Sequence, residues 1–412
     1  MTRTFRLLGW TAGLLFALRG SAQTDVVGVY LTWKKDPATT MTVNWVNLYP
    51  QSPTQLWFRS GTNSPWQTTK GARSVLKPAS LQLHRVELSG LAPDTLYDFV
   101  LTEAPTAEPK NVRRFRTMPA TLQRPIRFVA GGDMMHQRDW VDAMNQQAGQ
   151  LEPDFAVLGG DLAYEDGRQA TRWLDWLQSW MLNARGTNAR CIPILAAIGN
   201  HEVRGGYKGK APEDAPYFFG LFVPPGAKTY RAVDFGHYLS FLLLDSGHIE
   251  DVAGKQASWL ERALASRTQQ KFLFPVYHYP AYGTAKAETN TLPCDLPRAK
   301  VIREHWVPLF ERHGVTAVLE NDHHNYKRTH PLRRHQRDDT NGIVYLGDGA
   351  WGVTTRTVPT NAWYLAHAEP RRHLYLITLN PEGNVTATAI EANGTAFDSA
   401  RFDRPRTIPE KP

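Results

Sequence analysis

Cysteine is scarce in this chain of 412 residues: Cys191 and Cys294 are all there is, and no repeat or low-complexity tract accompanies them. Two thiols cannot build a disulfide-stapled small fold or a four-cysteine zinc knuckle. Whether they pair stays open, since no framework spacing supports a bond and Cys191 opens an apolar run that suits a buried free thiol. A membrane-spanning run is also missing. The apolar stretch 7–18 is too short to cross a bilayer comfortably and is stopped by Arg19. Arg3 and Arg6 precede it and Gly20-Ser21-Ala22 follow it, so 1–22 reads as an export signal cleaved after Ala22. The expected location is therefore secreted or periplasmic, with no stable membrane span. The formal charge of +8 drops by three arginines on such cleavage, and the remainder is spread along the chain. That distribution suits an anionic small substrate, and no nucleic-acid partner is expected. Oligomeric state cannot be read from these residues.

The residues that are present make a globular composition: 42% hydrophobic, 11% aromatic and 21% charged, in a length that favours two domains. Residues 25–119 read as all β, with alternating runs at 27–33 and 41–46 and further runs at 55–59, 83–88 and 97–102. Leu91-Ala92-Pro93-Asp94-Thr95-Leu96-Tyr97 has the form of a tyrosine corner, in which the phenol bonds back to upstream backbone. Roughly seven short strands in such a length predict a fibronectin type III-like β-sandwich. A linker rich in proline follows at 119–125. From 124 to 398 strands alternate with helical patterns, the mark of an α/β layer fold. Helices are expected at 166–182, 256–266 and 298–313, the last capped by Gly314. A hairpin is expected around Phe235-Gly236-His237, and strands return at 342–346, 373–379 and 385–391. Trp173, Trp176 and Trp180 lie on one helical stripe, which reads as core packing rather than a carbohydrate platform.

The chemistry sits at strand ends. Five apolar runs each stop at a metal-ligating side chain: 126–130 before Asp133, 155–158 before Asp161 and Tyr164, 192–198 before Asn200, 272–277 before His278, and 315–319 before Glu320-Asn321-Asp322-His323-His324. In α/β sheets ligands bind beyond the carboxyl ends of strands, so these groups converge. The donors are hard oxygen and imidazole without thiolate, which suits Fe, Mn, Zn or Mg. Two cations about 3.5 Å apart need one ligand that touches both; Asp161, at its Gly-Gly-Asp turn, is the natural bridge. Asp133, Tyr164 and His324 can serve one ion, and Asn200 and His278 the other. A phenol with a pKa of about 10 ionises readily only on a strong Lewis acid such as Fe(III). Taken singly, Asp or Asn after glycine is ordinary turn chemistry, Tyr164 has a satisfied core phenol as its rival reading, and His201 has a rival role orienting Asn200 or Glu202.

Together, Gly132-Asp133, Gly160-Asp161-Leu162-Ala163-Tyr164, Gly199-Asn200-His201-Glu202, His278 and His324-Asn325-Tyr326-Lys327-Arg328 resemble the purple acid phosphatase branch of the calcineurin-like metallophosphoesterases. The resemblance covers both domains. It implies an α/β protein in which a fibronectin type III-like sandwich precedes a metallophosphoesterase α/β/β/α sandwich. It also implies a dinuclear centre: Fe(III) held by Asp133, Asp161, Tyr164 and His324, and Zn, Mn or Fe(II) held by Asp161, Asn200, His278 and the residue at 322. The implied reaction is in-line attack of a metal-bound hydroxide on phosphorus, with His201 as catalytic residue and a phosphorylated small molecule or ester as substrate. Two departures stand out. Asp322 occupies a position where the family has His, so Asp322 ligates, His323 turns inward, or the second site weakens. No histidine follows His278 to assist the leaving group, so that role is unfilled or passes to Tyr279, Tyr282 or Arg204. His136 lies one residue beyond a ligating spacing and is expected outside the ligand set. Asp348 is expected in a turn, and Tyr326 and Arg328 in the pocket wall. A phosphodiesterase with the same metals, and an exported binding protein on a decayed enzyme scaffold, are the alternative readings.

Overall fold

The computed structural model describes residues 26–48, 53–101, 104–105, 111–205, 211–224, 226–285 and 291–404. The export signal read at 1–22 lies outside them. Eight strands come first: β1 (Val26–Thr32), β2 (Met41–Asn47), β3 (Gln55–Ser60), β4 (Gln67–Lys70), β5 (Ala72–Leu76), β6 (Leu81–Leu88), β7 (Leu96–Leu101) and β8 (Arg113–Arg116). They form two antiparallel layers, β1-β2-β6-β5 and β8-β7-β3-β4, that enclose Trp45, Leu56, Val86, Phe99 and Phe115. The tyrosine corner is present, with the Ala92 N–H donating to the Tyr97 hydroxyl at 2.8 Å.

The second part opens with β9 (Ile126–Gly131), α1 (Arg138–Gln150), β10 (Phe155–Leu158), α2 (Ala170–Asn183), β11 (Arg185–Gly186), β12 (Arg190–Cys191) and β13 (Ile194–Ala196). Next come α3 (Pro216–Phe222), the hairpin β14 (Arg231–Phe235) and β15 (Leu239–Leu243), α4 (Lys255–Ala265), β16 (Phe272–Val276), α5 (Pro297–His305), α6 (Val307–His313) and β17 (Ala317–Leu319). The chain ends with β18 (Tyr326–Thr329), β19 (Leu332–Arg333), β20 (Gln336–Arg337), β21 (Val344–Gly347), β22 (Leu365–Glu369), β23 (Leu374–Leu379), β24 (Asn384–Ile390) and β25 (Ala396–Asp403). Two mixed sheets result, ordered β13-β10-β9-β23-β24-β25 and β14-β15-β16-β17-β21-β18-β22.

Side-chain alternation along the strands fixes the layers. Phe128 and Ala130 of β9, Phe155 and Val157 of β10, and Phe274 and Val276 of β16 meet between the two sheets. The intervening residues face outward onto helices: Val129, Ala156 and Leu158 against α1 and α2, and Leu273 and Val318 against α4, α5 and α6. An α/β/β/α sandwich is the outcome. At its centre Phe128 packs edge-on against Phe241 and Phe274, with centroids 5.2 and 5.7 Å away. Each such buried ring contributes roughly 1.5–3 kcal/mol. Trp173, Trp176 and Trp180 are buried beneath α2, as core.

Two helix expectations need correcting. The first helix starts at Ala170, not at 166, because Asp166 (φ 56°) and Gly167 (φ 65°) take left-handed backbone. The run 298–313 is two helices, α5 and α6, broken at Trp306. Pro308, the second residue of α6, has no N–H to continue the earlier helix, and the Trp306 indole donates instead to the Val252 carbonyl at 2.9 Å. Gly314 ends α6 in left-handed backbone, φ 55°. Cys191 and Cys294 are both free thiols. No helix among the described residues is long and apolar enough to cross a membrane.

The two parts share a sheet. β12 pairs in parallel with β8, so the sandwich layer continues through β12 into β11. β1 lies so close to α2 that a Cβ on Gly28 would come within 2.6 Å of Leu177 Cβ. Tyr326 and Arg328, expected in the pocket wall, instead bind Asp398 of β25, with Arg328 Nε at 2.7 Å. Burial raises the Asp398 carboxyl, but Arg328 and Tyr326 overcome it and draw it down to about 2 from an ordinary 3.8. A depressed folded pKa stabilises above the unfolded value, and that stabilisation is lost as pH falls towards the folded one. Asp398→Asn is therefore expected to lower the unfolding temperature at pH 7, with the deficit shrinking between about pH 4 and pH 2, as thermal unfolding across that range will read.

Candidate metal centre

All five ligand-bearing strand ends open on the same edge. Asp133 follows β9, Asp161 and Tyr164 follow β10, Asn200 follows β13, His278 follows β16, and Asp322 and His324 follow β17. Their donor atoms crowd together. The Tyr164 hydroxyl stands 3.0 Å from Asp133 Oδ1 and 3.0 Å from His324 Nε2, which is itself 3.2 Å from Asp133 Oδ1. His278 Nε2 stands 3.2 Å from Asn200 Oδ1, 3.2 Å from Asp161 Oδ2 and 3.7 Å from Asp322 Oδ1. Atoms of Asp133, Asp161 and His278 lie within 4.8 Å of one another, linking the two groups. Every sequence-predicted ligand is thus in one place, with Asp161 between the sets.

The backbone is bent to achieve this. Asp133, Asp161, Tyr164, Asp322 and His324 all have φ between 54° and 76°. Left-handed backbone in non-glycine residues costs of order 1–3 kcal/mol each and persists where the surroundings over-determine it. Here the surroundings are identifiable. The Glu202 carboxylate accepts the N–H groups of Asp161, Leu162 and Gly199, each at 2.8 Å, and so ties the second strand end to the third. Asn321 is wedged where a Cβ on Gly159 would fall 1.7 Å from its Nδ2. The Asp322 N–H donates to Asp133 Oδ2 at 2.8 Å.

Charge is the more telling feature. Asp133, Asp161 and Asp322 are all buried, at no more than 3% exposure. Burial would lower the His278 imidazolium, but Asp161, with Asp133 and Asp322, pushes it up to about 10. Burial and then Asp133 hold the Tyr164 phenol well above its usual range. The His278 shift, which runs against burial, reports an excess of buried negative charge, and a hard oxygen and imidazole donor set with that excess fits divalent or trivalent cations.

Asp322 and His323 point in different directions. Asp322 faces the centre through Oδ1, whereas His323 is turned away: its Nδ1 accepts from the Thr284 and Ala285 N–H groups, each at 3.0 Å, and its Nε2 faces Asp322 Oδ2 at 3.5 Å. His136 is outside the donor cluster but against it, its ring 4.7 Å from Tyr164 and 5.3 Å from His324, with Nδ1 accepting from Thr354 N–H. Asp348 pairs with Lys327 at 3.0 Å and gives no side-chain atom to the donor cluster, though its carbonyl accepts the His324 N–H at 2.9 Å. Tyr282 packs against Tyr345, Tyr364 and His335, and Arg204 is exposed. Tyr279, by contrast, stands beside the centre, its ring 5.6 Å from that of His278.

Two residues complete the site that sequence reasoning missed. Asp166 Oδ1 lies 2.5 Å from His201 Nδ1, leaving Nε2 pointed at Asp161 Oδ2, 3.9 Å away. Burial lowers the His201 imidazolium, but Asp161 and Asp166 outweigh it and raise it. Arg356 donates to the Asp322 carbonyl at 3.0 Å, with its other nitrogen 3.3 Å from His324 Nε2. Asp166 carried a signal of a kind, sitting in the Tyr164-Glu165-Asp166-Gly167 turn; Arg356 carried none.

The chain belongs to the calcineurin-like phosphoesterase family, whose model matches residues 126–363. The model for the N-terminal domain of purple acid phosphatases matches residues 26–117, which places the chain in the purple acid phosphatase-like branch. It is 25% identical over 407 residues to an uncharacterized protein of Mycobacterium tuberculosis, covering 85% of this chain and 73% of that one. It is 23% identical over 297 residues to purple acid phosphatase 15 of Arabidopsis thaliana, covering 65% and 53%. Among solved structures, purple acid phosphatase PPD1 from yellow lupin (Lupinus luteus) seeds shares the fold at a TM-score of 0.73 and 19% identity, covering 92% of this chain and 74% of that one. The protein is a metal-dependent hydrolase of phosphoesters.

Glu202→Ala removes three backbone anchors at once. Burial, with Asp161, pushes the Glu202 carboxyl up to about 8, so each of the three hydrogen bonds is taken at the ordinary contribution of roughly 0.5–1.5 kcal/mol, and the Asp161 turn is expected to relax. Metal analysis should then show a loss of bound metal larger than the accompanying fall in unfolding temperature would suggest.

Proposed function

We propose that this protein is an exported phosphatase that hydrolyses phosphate monoesters at a pair of metal ions. The observation that carries the proposal is the clustering of seven side chains from five strand ends, among them three buried carboxylates. Asp133, Tyr164 and His324 would hold one ion, Asn200, His278 and Asp322 the other, and Asp161 both. When bound, the pair lowers the pKa of a water and neutralises charge on the phosphoryl oxygens. The residues do the rest. His201, held by Asp166 through Nδ1, presents Nε2–H to the departing oxygen as general acid. Arg356 reaches the edge of the cluster beside His324. With a cation on His324 Nε2, that guanidinium nitrogen loses its acceptor there and can turn to a phosphoryl oxygen.

Asp322 suits a harder cation than imidazole would, so Mn or Fe(II) is favoured over Zn at the second site. Tyr164 favours Fe(III) at the first: burial and Asp133 keep the phenol protonated, and a strong Lewis acid is needed to reverse that. Export rests on the 1–22 signal, and mature protein should begin at Gln23.

Turnover of p-nitrophenyl phosphate against its bis-ester decides the substrate class. Metallated protein is expected to favour the monoester at least about tenfold in kcat/KM, a difference of about 1.4 kcal/mol. A preference for the bis-ester would instead establish a phosphodiesterase, and no turnover of either, with less than about one metal per chain, would leave a binding protein.

Visible absorption tests the metal. Protein loaded with iron is expected to show a tyrosinate charge-transfer band that disappears in Tyr164→Phe. An active but colourless iron-loaded enzyme rules out the Tyr164–Fe(III) assignment.

A further inference from the structure

A cavity of about 290 Å³ opens beside the centre, lined by the apolar Pro280, Pro293, Leu296, Pro297 and Ala299 and by the polar groups of Tyr279, Arg298, Asp322 and His323. Its position is fixed by the ligands themselves. Tyr279 is the residue after His278, and Asp322 faces His278 Nε2 at 3.7 Å. A phosphoryl group bound at the centre therefore has the cavity next to it, and one substituent on phosphorus can extend inside.

The walls say what that substituent is. Pro280 and Pro293 have no N–H to donate, and Leu296 has no polar atom. Tyr279 offers a ring face, and the Arg298 guanidinium lies over that ring, 4.4 Å from its centroid. A polyol placed here could reach the polar groups of Arg298, Asp322 and His323 but would set its remaining hydroxyls against Pro280, Pro293, Leu296, Pro297 and Ala299, which offer no side-chain partner, whereas a flat apolar group packs on those residues and stacks against a cation-capped ring. This is also the place where the chain lacks a histidine after His278, so the space next to that ligand is given to shape instead of acid chemistry.

We infer that this cavity binds the alcohol portion of the substrate, and that the substrate class is phosphate monoesters of aromatic or compact apolar alcohols in preference to sugar, glycerol or inositol phosphates. The inference rests on the phosphatase reading above. The reaction balances as ester plus water giving free alcohol and inorganic phosphate: the P–O(alcohol) bond breaks, the water oxygen joins phosphorus, and the alcohol oxygen leaves with the proton from His201, which water restores.

Non-hydrolysable phosphonates separate recognition from leaving-group reactivity. With metallated full-length protein turning over p-nitrophenyl phosphate, the inhibition constants of benzylphosphonate, methylphosphonate and 2,3-dihydroxypropylphosphonate are compared, with inorganic phosphate as the reference for the centre alone. Benzylphosphonate is expected to bind at least about tenfold more tightly than the other two, the gain for burying a ring. Leu296→Trp, which fills the cavity, is expected to abolish that difference, and Leu296→Ser to narrow it to about threefold or less. Equal constants for the three phosphonates, tighter binding of the dihydroxypropyl compound, or a difference that survives in both variants overturns the inference and leaves the phosphatase reading standing. Absence of both turnover and phosphate inhibition overturns that reading, and this inference with it.

Discussion

Three carboxylates buried side by side are the constraint around which the molecule is arranged. Asp133, Asp161 and Asp322 sit where two sheets end together, almost without solvent. Like charges at such distances repel strongly in a medium of low polarity. His278 takes up part of that field by holding its proton to about 10, while His201 and Arg356 reach only its edge, and none of these groups can pair with all three carboxylates at once. Cations can, and their binding free energy then counts towards the folded state. The left-handed turns at Asp133, Asp161, Tyr164, Asp322 and His324 make sense in those terms. Strain that the chain would not tolerate elsewhere is held in place by Glu202, Asn321 and the tight glycines, and a bound metal would reward it.

The second consequence concerns rigidity. Donor atoms from five separate strands hold a fixed geometry only if the sheets beneath them do not slide. The stacked phenylalanines between the sheets supply one lock, and the shared layer with the sandwich supplies another. β12 leads directly into β13, whose end carries Asn200, and β12 itself pairs with β8. Tyr30 and Arg85 of the sandwich reach across to carbonyls at Leu221 and Gly220 of α3. The sandwich places no side chain in the centre, yet it braces the elements that do.

How much of this was legible in the chain depends on the range of each interaction. Strand and ligand are neighbours in sequence, so Asp133, Asp161, Tyr164, Asn200, His278, Asp322 and His324 can be found from apolar runs and the polar residues at their ends. The tyrosine corner and the Gly314 cap are local too. The features hidden from sequence are set by distant partners. Arg356 reaches the site from an irregular loop with no periodicity, by way of the Asp322 carbonyl. Tyr326 and Arg328 point away from the pocket because Asp398, on an edge strand with no apolar pattern, decides their direction. The left-handed turn at Asp166 and Gly167 delays a helix for the sake of His201, a local conflict of the kind expected beside a functional group. The break in 298–313 is an intermediate case: Pro308 is visible in the chain, but the acceptor that holds the Trp306 indole, the Val252 carbonyl, is not.

The aspartate at 322 needs a physical account, because substitution of a ligand is often the first step in losing a metal. Here the neighbourhood has been built to fit it. His323 is clamped through Nδ1 by two backbone N–H groups, which fixes its proton on Nε2, the atom facing Asp322 Oδ2. An imidazole N–H behind a ligating carboxylate orients it and leaves its other oxygen for the ion, the reverse of the more familiar carboxylate behind a ligating histidine. Arg356 binds the carbonyl of the same residue. If Asp322 holds an ion as proposed, the carboxylate at this position would suit a harder cation than imidazole would.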